Sequence, residues 1–222
     1  DLPVRRLSAA DLKRDEPALA GEVKAALMLP EDRQVDAQIV LQRLGAALSR
    51  AGVGFKYGRK IERIVGGQIF QMPDGERFDR VVLATGAGQL PSFVGPRGAP
   101  LEHGLVEMTP VKGQMLALAP VAGGPRHVIH ARDVYIAPKS RWVLVGATSE
   151  RGRADTEIDP ASIAALRARA AALVPSLADA PEVTAWAGIR PGTPDDAPMI
   201  GQAAIPGVFA ALGHYRNGVL FA

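Results

Sequence analysis

Arg80-Val81-Val82-Leu83-Ala84-Thr85-Gly86 is a continuous apolar run of strand length that stops at Thr-Gly. Such a run reads as a strand buried on both faces. Upstream, Lys60-Ile61-Glu62-Arg63-Ile64-Val65 and Gln68-Ile69-Phe70-Gln71-Met72 each alternate with period two, around Gly66-Gly67 and ahead of Pro73-Asp74-Gly75. That pattern predicts a small antiparallel meander. Further upstream, Asp36 stands before Ile39, Val40, Leu44, Ala47, Leu48 and Ala51, which recur at helical spacing, with Gly52 as the C-terminal glycine. Ser8 and Asp11 form a capping box for a shorter helix that Pro17 limits. Downstream, residues 85–104 are a Gly/Pro-rich loop. Strands are then expected at Leu105–Met108, Gln114–Ala119, His127–His130, Val134–Ala137 and Trp142–Ala147, with Lys139-Ser140-Arg141 at a hairpin tip. Asp159 caps a second helix with Pro160 at its first position; Ile163, Leu166, Ala170 and Leu173 make its buried face and Pro175 closes it. Strands are expected again at Glu182–Ile189 and Val208–Leu212. Gly213–Gly218 then has the look of a strand-to-helix turn. The sum is an α+β chain in which an antiparallel sheet with covering helices dominates.

Composition narrows the function. The 222 residues are long enough for a real core, and 47% hydrophobic with 22% charged is ordinary for a globular chain, which argues against disorder. No apolar run reaches the length of a membrane span. There is no cysteine, hence no disulfide framework, thiolate metal site or cysteine nucleophile. The net charge is only +3 and the basic residues are dispersed, so no nucleic-acid partner is indicated.

Familiar catalytic patterns are missing. There is no Gly-x-Ser-x-Gly elbow, and Ser92, Ser140, Ser149 and Ser176 sit in turn-like contexts. His127 and His130, on one strand, would face opposite sides, and His103 and His214 are isolated, so no metal site is expected. Gly86-Ala87-Gly88-Gln89-Leu90-Pro91 begins like a dinucleotide fingerprint, but Pro91 replaces its last glycine. No residue is assigned as a catalytic acid or base.

Three segments taken together carry a resemblance. Val81-Val82-Leu83-Ala84-Thr85-Gly86-Ala87 is the first. Trp186-Ala187-Gly188-Ile189-Arg190-Pro191-Gly192-Thr193-Pro194-Asp195 is the second, read as a strand ending in an arginine held by a Pro-Gly turn. Gly213-His214-Tyr215-Arg216-Asn217-Gly218-Val219-Leu220 is the third. In this order and spacing the chain resembles the FAD-carrying amine oxidases of the D-amino acid oxidase superfamily, and among them most the glycine oxidases. Val111-Lys112-Gly113-Gln114, Tyr135-Ile136-Ala137-Pro138-Lys139 and Leu144-Val145-Gly146-Ala147-Thr148 match the same pattern.

The resemblance implies FAD-dependent oxidative deamination of glycine or another small amine or amino acid. Hydride passes to the flavin, an imine forms, and molecular oxygen is reduced to peroxide, in the pathway to the thiamine thiazole. The cofactor performs the hard step, so a missing acid–base pair is no objection. Arg190 is implied as the carboxylate-binding group, a role suited to the planar two-pronged guanidinium; the other reading of Arg190 is a strand-end arginine paired with Asp195 or Asp196. Tyr135 is implied near the substrate, donating to its carboxylate or walling its pocket, and Arg216 at the pocket entrance. His214, Arg216, Asn217, Gly218, Val219 and Leu220 are implied against the flavin, with turn N–H groups facing the edge that gains negative charge on reduction. Ala84 and Gly86 are implied near the cofactor through their backbone, and Ile64 or Val65 near its adenine end. Met108 and Met115 read as core.

The implied layout is a partial FAD-domain region at 1–104, a substrate-binding antiparallel sheet domain at 105–190 and a return to the FAD domain at 191–222. The Rossmann-type unit carrying Gly-x-Gly-x-x-Gly has no counterpart in these residues. The chain by itself is therefore expected to be an inactive piece of an oxidase that binds FAD weakly or not at all. Exposed sheet edges and apolar faces are expected to follow, with homo-oligomerisation or partial disorder near 1–35 and 205–222. A cytoplasmic location is the expected setting. The alternatives are a D-amino acid dehydrogenase of the same superfamily and a non-catalytic binding module.

Overall fold

The computed structural model describes residues 3–218. In chain order the elements are β1 (Arg5–Ser8), α1 (Ala9–Asp15), β2 (Ala25–Met28), α2 (Ala37–Arg50), β3 (Arg63–Val65), β4 (Phe70–Gln71), β5 (Arg77–Phe78), β6 (Val81–Leu83), β7 (Ser92–Val94) and β8 (Pro100–Leu101). They continue with β9 (Thr109–Leu118), β10 (Ile129–His130), β11 (Tyr135–Pro138), β12 (Val143–Gly146), β13 (Glu150–Arg151), α3 (Pro160–Leu173), β14 (Glu182–Gly192), β15 (Met199–Gln202) and β16 (Val208–Leu212). The architecture is mixed α+β with mostly antiparallel pairing. The chain forms two compact units. The first comprises Asp1–Gln42, Lys112–Glu150 and Asp155–Gly188; the second comprises Arg43–Val111, Arg151–Ala154 and Ile189–Ala222.

In the first unit, β10, β11, β12 and β9 lie side by side, antiparallel. The hairpin tip closes where the Lys139 N–H donates to the Trp142 carbonyl at 2.8 Å. Alternation along the strands puts Leu116, Leu118, Ile136, Val143 and Val145 on one face, where they meet Ile163, Leu166 and Ala170 of α3. The opposite face carries Met115, Tyr135 and Gly146, which share one cross-strand row with His130. The α3 helix starts as its sequence predicts: Asp159 accepts from the Ala161 and Ser162 N–H groups, satisfying donors that the first turn leaves open. Residues 5–28, expected to be partly disordered, instead form β1, α1 and the antiparallel β2. The α1 capping box is present in full, with Ser8 and Asp11 bonded both ways. The Ser8 hydroxyl and N–H, with Arg14 beyond them, draw the Asp11 carboxyl down to about 2.

Buried polar side chains in this unit are all partnered. Lys112 ion-pairs with Asp155 at 2.5 Å. Gln114 donates through Nε2 to Glu150 and accepts the Asp159 N–H at 2.7 Å, tying β9 to the start of α3. Glu16 accepts from the Arg126 and His127 N–H groups and sits 2.9 Å from His127 Nδ1, which anchors the end of α1.

The second unit has two sheets. The meander β5-β4-β3 gains β7, parallel to β3, and then β8. The other sheet runs β15-β16-β6, and β16 and β6 are parallel. Between them Ile64, Phe70 and Phe93 pack with Val81, Leu83, Val208, Ala210 and Leu212.

Four local expectations are corrected. Val81–Leu83 is a strand, but only one face is covered: Val81 and Leu83 are buried while Val82 is 64% exposed. Leu105–Met108 forms no strand, because no partner strand runs beside it and the ladder begins at Thr109. Residues 85–104, expected as loop, carry β7, which pairs onto β3, and β8, which pairs with β7. The strand from Glu182 continues through Arg190 and Pro191 to Gly192, so the turn falls later, at Thr193–Ala197. There the Thr193 hydroxyl donates to the Ala197 carbonyl, and Asp196 takes a positive φ.

Candidate functional site

The second unit brings together three of the segments singled out above. Parallel pairing places Val81, Val82 and Leu83 beside Val208, Phe209 and Ala210. The residues that leave the carboxyl ends of these strands, Ala84-Thr85-Gly86 and Gly213-His214, therefore emerge at the same end of the sheet. In parallel α/β sheets that end is where ligands bind. The Gly213 turn also meets the end of β14. The Tyr215 N–H donates to the Pro191 carbonyl at 3.0 Å, one residue from Arg190. Gly213 has φ +69°, and a Cβ there would lie 2.5 Å from Thr193 Cγ2, so only glycine allows the two segments to approach this closely.

Arg190 is half-buried on β14. Of the two aspartates nearby in sequence, Asp196 ion-pairs with Arg151, whose guanidinium also donates to the Thr193 carbonyl, and Asp195 accepts the Ala197 N–H. His214 and Tyr215 are partly buried, Tyr215 at φ +47°, while Arg216, Asn217 and Gly218 are exposed. Two turn amides are already used: Tyr215 on Pro191, and Asn217 on the His214 carbonyl at 2.8 Å. The start of a helix after Gly218, and the residues Val219 and Leu220, lie outside the described residues.

The residues present fit a neutral heterocycle approached through backbone. Ala84, Thr85, Gly86, Ala87 and Gly88 carry no charge. Ala84 and Gly86 are exposed, and a Cβ at Gly86, which has φ +59°, would meet nothing within 4 Å. Backbone here is open to a flat ligand. Ile64 and Val65 have a different setting. The Ile64 side chain is in the core, and both edges of β3 are paired, to β4 and β7.

Tyr135 belongs to the first unit, on the sheet face opposite α3. Its hydroxyl donates to Met115 Sδ at 3.2 Å and its ring lies 5.9 Å from that of His130. An open groove of about 590 Å³ runs along the outer side of α3, beside Ile158, Ala164, Arg167 and Glu182. It shares no residue with the segments above. Among the described residues no group of three or more His, Asp or Glu side chains is placed to hold a metal ion, and no helix is long and apolar enough to cross a membrane.

Sequence reasoning missed the buried pair Lys112–Asp155 and the Met115–Tyr135 contact. A lysine inside a run of strand residues was the available signal for the first. Nothing in the sequence marked Met115 apart from core.

Arg190 near the end of β14, the glycine turn against it and the open backbone at the carboxyl end of a parallel strand pair thus lie together in the second unit. The chain belongs to the FAD dependent oxidoreductase family, whose model matches residues 1–222. It is 34% identical to the bifunctional protein ThiO/ThiG of Nostoc sp. over 230 aligned positions, which cover 99% of this chain and 34% of that protein. It is 35% identical to the glycine oxidase of Geobacillus kaustophilus, covering 98% of this chain and 58% of the relative. The crystal structure of glycine oxidase from Geobacillus kaustophilus superposes with a TM-score of 0.81 at 31% identity, over 98% of this chain and 59% of that one. The chain thus spans between one third and three fifths of the length of these relatives.

Proposed function

We propose that this chain supplies the substrate-binding sheet and part of the FAD-binding region of an oxidase that deaminates glycine or another small amine or amino acid. The observation that carries the reading is the convergence, in one unit, of Arg190 with the Gly213–Gly218 turn and the Ala84–Gly86 strand end. Similarity to glycine oxidase supports the substrate class. When bound, FAD supplies the two-electron acceptor for the amine, with molecular oxygen as the final oxidant and peroxide as product.

The chain's own residues do the rest. Arg190 holds the substrate carboxylate with two parallel donors, which fixes the α-carbon in direction as well as in place. Tyr135 presents its hydroxyl to the same class of ligand from the sheet face. Ala84 and Gly86 meet the cofactor through backbone, His214, Arg216, Asn217 and Gly218 stand against it, with Ile64 or Val65 at its adenine end; Val219 and Leu220, assigned the same role, lie outside the described residues. Arg216, exposed beside the turn, stands at the entrance. On this reading residues 105–190 are the substrate domain, 1–104 and 191–222 serve the cofactor, and the working setting is the cytoplasm, in the thiamine thiazole pathway.

The test is glycine-dependent peroxide release by the flavin-loaded oxidase that contains this chain, with Arg190→Ala and Arg190→Lys. A charge-assisted hydrogen bond is worth roughly 1.5–3 kcal/mol, so R190A raises KM for glycine by at least about tenfold to a hundredfold, and R190K recovers only part of it. An unchanged KM in R190A removes the carboxylate assignment. Turnover without peroxide would replace the oxidase by a dehydrogenase.

A further inference from the structure

His130, Tyr135, Gly146 and Met115 occupy one continuous row across four neighbouring strands, β10, β11, β12 and β9. The row lies on the sheet face opposite α3. Gly146 is the gap in it. A Cβ at position 146 would stand 2.5 Å from Met115 Sδ and 2.7 Å from Tyr135 Cζ, so any side chain there displaces one of them. Because the gap exists, the Tyr135 phenol lies across β12 and its hydroxyl reaches the Met115 sulfur at 3.2 Å. The His130 ring flanks it on the other side.

A thioether is a weak acceptor. It gives the hydroxyl a direction, yet it competes poorly with a carboxylate, whose charge-assisted bond is about twice as strong. We propose that Met115 is a positioning residue for Tyr135. Its sulfur holds the phenol over Gly146 in the orientation from which the hydroxyl transfers to an incoming carboxylate. This rests on the substrate reading of Tyr135 given above.

The experiment is a double-mutant cycle on the flavin-loaded oxidase that contains this chain. The probe is glycolate, a small carboxylate with no amine to oxidise, and its Kd is read from the perturbation of flavin absorbance. Met115→Leu keeps the volume and removes the acceptor; Tyr135→Phe keeps the ring and removes the donor. If Met115 acts through the hydroxyl, M115L weakens glycolate binding by about threefold to tenfold in the Tyr135 background, because a phenol no longer held over Gly146 must be ordered as the ligand binds, and has no effect in the Y135F background. Equal weakening by M115L in both backgrounds shows packing alone and overturns the positioning role while leaving Tyr135 in the site. Glycolate affinity indifferent to Y135F and M115L alike overturns both the proposal and the reading of Tyr135 beneath it. M115L thermal unfolding is measured alongside; a volume-conserving swap of a half-buried side chain leaves the fold intact.

Discussion

Helices α2 and α3 are each 14 residues long, and each begins at an aspartate cap. Asp36 accepts from the Gln38 N–H at 3.0 Å, as Asp159 does from Ala161 and Ser162. By sequence α2 has the cleaner apolar face. Yet α2 buries no residue: Leu44 is 51% exposed and Ile39, Val40 and Leu41 are exposed with it. The alanine- and arginine-rich α3 buries Ile163, Leu166 and Ala170, with Leu166 at 0%. Capping and periodicity make a helix; they do not supply the surface that covers it. The α3 face has β12 and its neighbours opposite, whereas α2 runs from the end of one unit into the start of the other.

The comparison is easiest to break at its centre. Leu166→Ala removes a fully buried side chain and is expected to cost about 2–5 kcal/mol in urea unfolding. Leu44→Ala, on α2, stays within about 0.5 kcal/mol. A comparable loss in L44A would show that something covers α2 in solution and would end the contrast. The second prediction concerns the buried cation beneath the sheet. Lys112 is 2% exposed, whereas Asp155 keeps about a third of its side chain in water. Lys112→Met therefore lowers stability by about 1–3 kcal/mol, less than a fully buried pair would lose, because Asp155 rehydrates. Lys13→Met on α1, which has no buried partner, serves as the control and changes nothing measurable.

The smallest effect compares the two caps. Asp159→Ala is expected to lower the melting temperature more than Asp36→Ala, since fraying α3 uncovers core and fraying α2 does not. Hydrogen bonds from the Ser162 hydroxyl and the Ala161 N–H hold the Asp159 carboxyl below the usual carboxylate range. The stability this adds is complete above the unfolded value of about 3.9 and is lost as pH falls through the lower folded value. The D159A deficit should thus shrink between neutral pH and about pH 3. A deficit that grows on acidification would place the effect of Asp159 outside its ionised cap bonds.

Much of the local structure was legible. The capping box at Ser8–Asp11, the Asp159-Pro160 start of α3 and the Lys139–Arg141 tip of the β11–β12 hairpin all follow from short-range chemistry. The misreadings share a cause. Val81-Val82-Leu83 is apolar throughout, and apolarity cannot say whether a second layer lies on the Val82 side. The Arg190-Pro191-Gly192 string looked like a turn, but β14 pairs through it. Met115 and core methionines are indistinguishable until register puts Gly146 beside it and Tyr135 one strand further.

The sequence alone determined where the helices begin, the absence of cysteine chemistry, and the motifs that mark an FAD dependent oxidoreductase. These depend on contacts within a few residues or on the identity of the residues themselves. Only the tertiary structure decided which faces are covered, that the strand ends at Gly86 and Gly213 open side by side, and that a glycine gap lets Tyr135 reach a sulfur across a strand. Those features join residues far apart in the chain, and only the pairing of strands brings them within reach of one another.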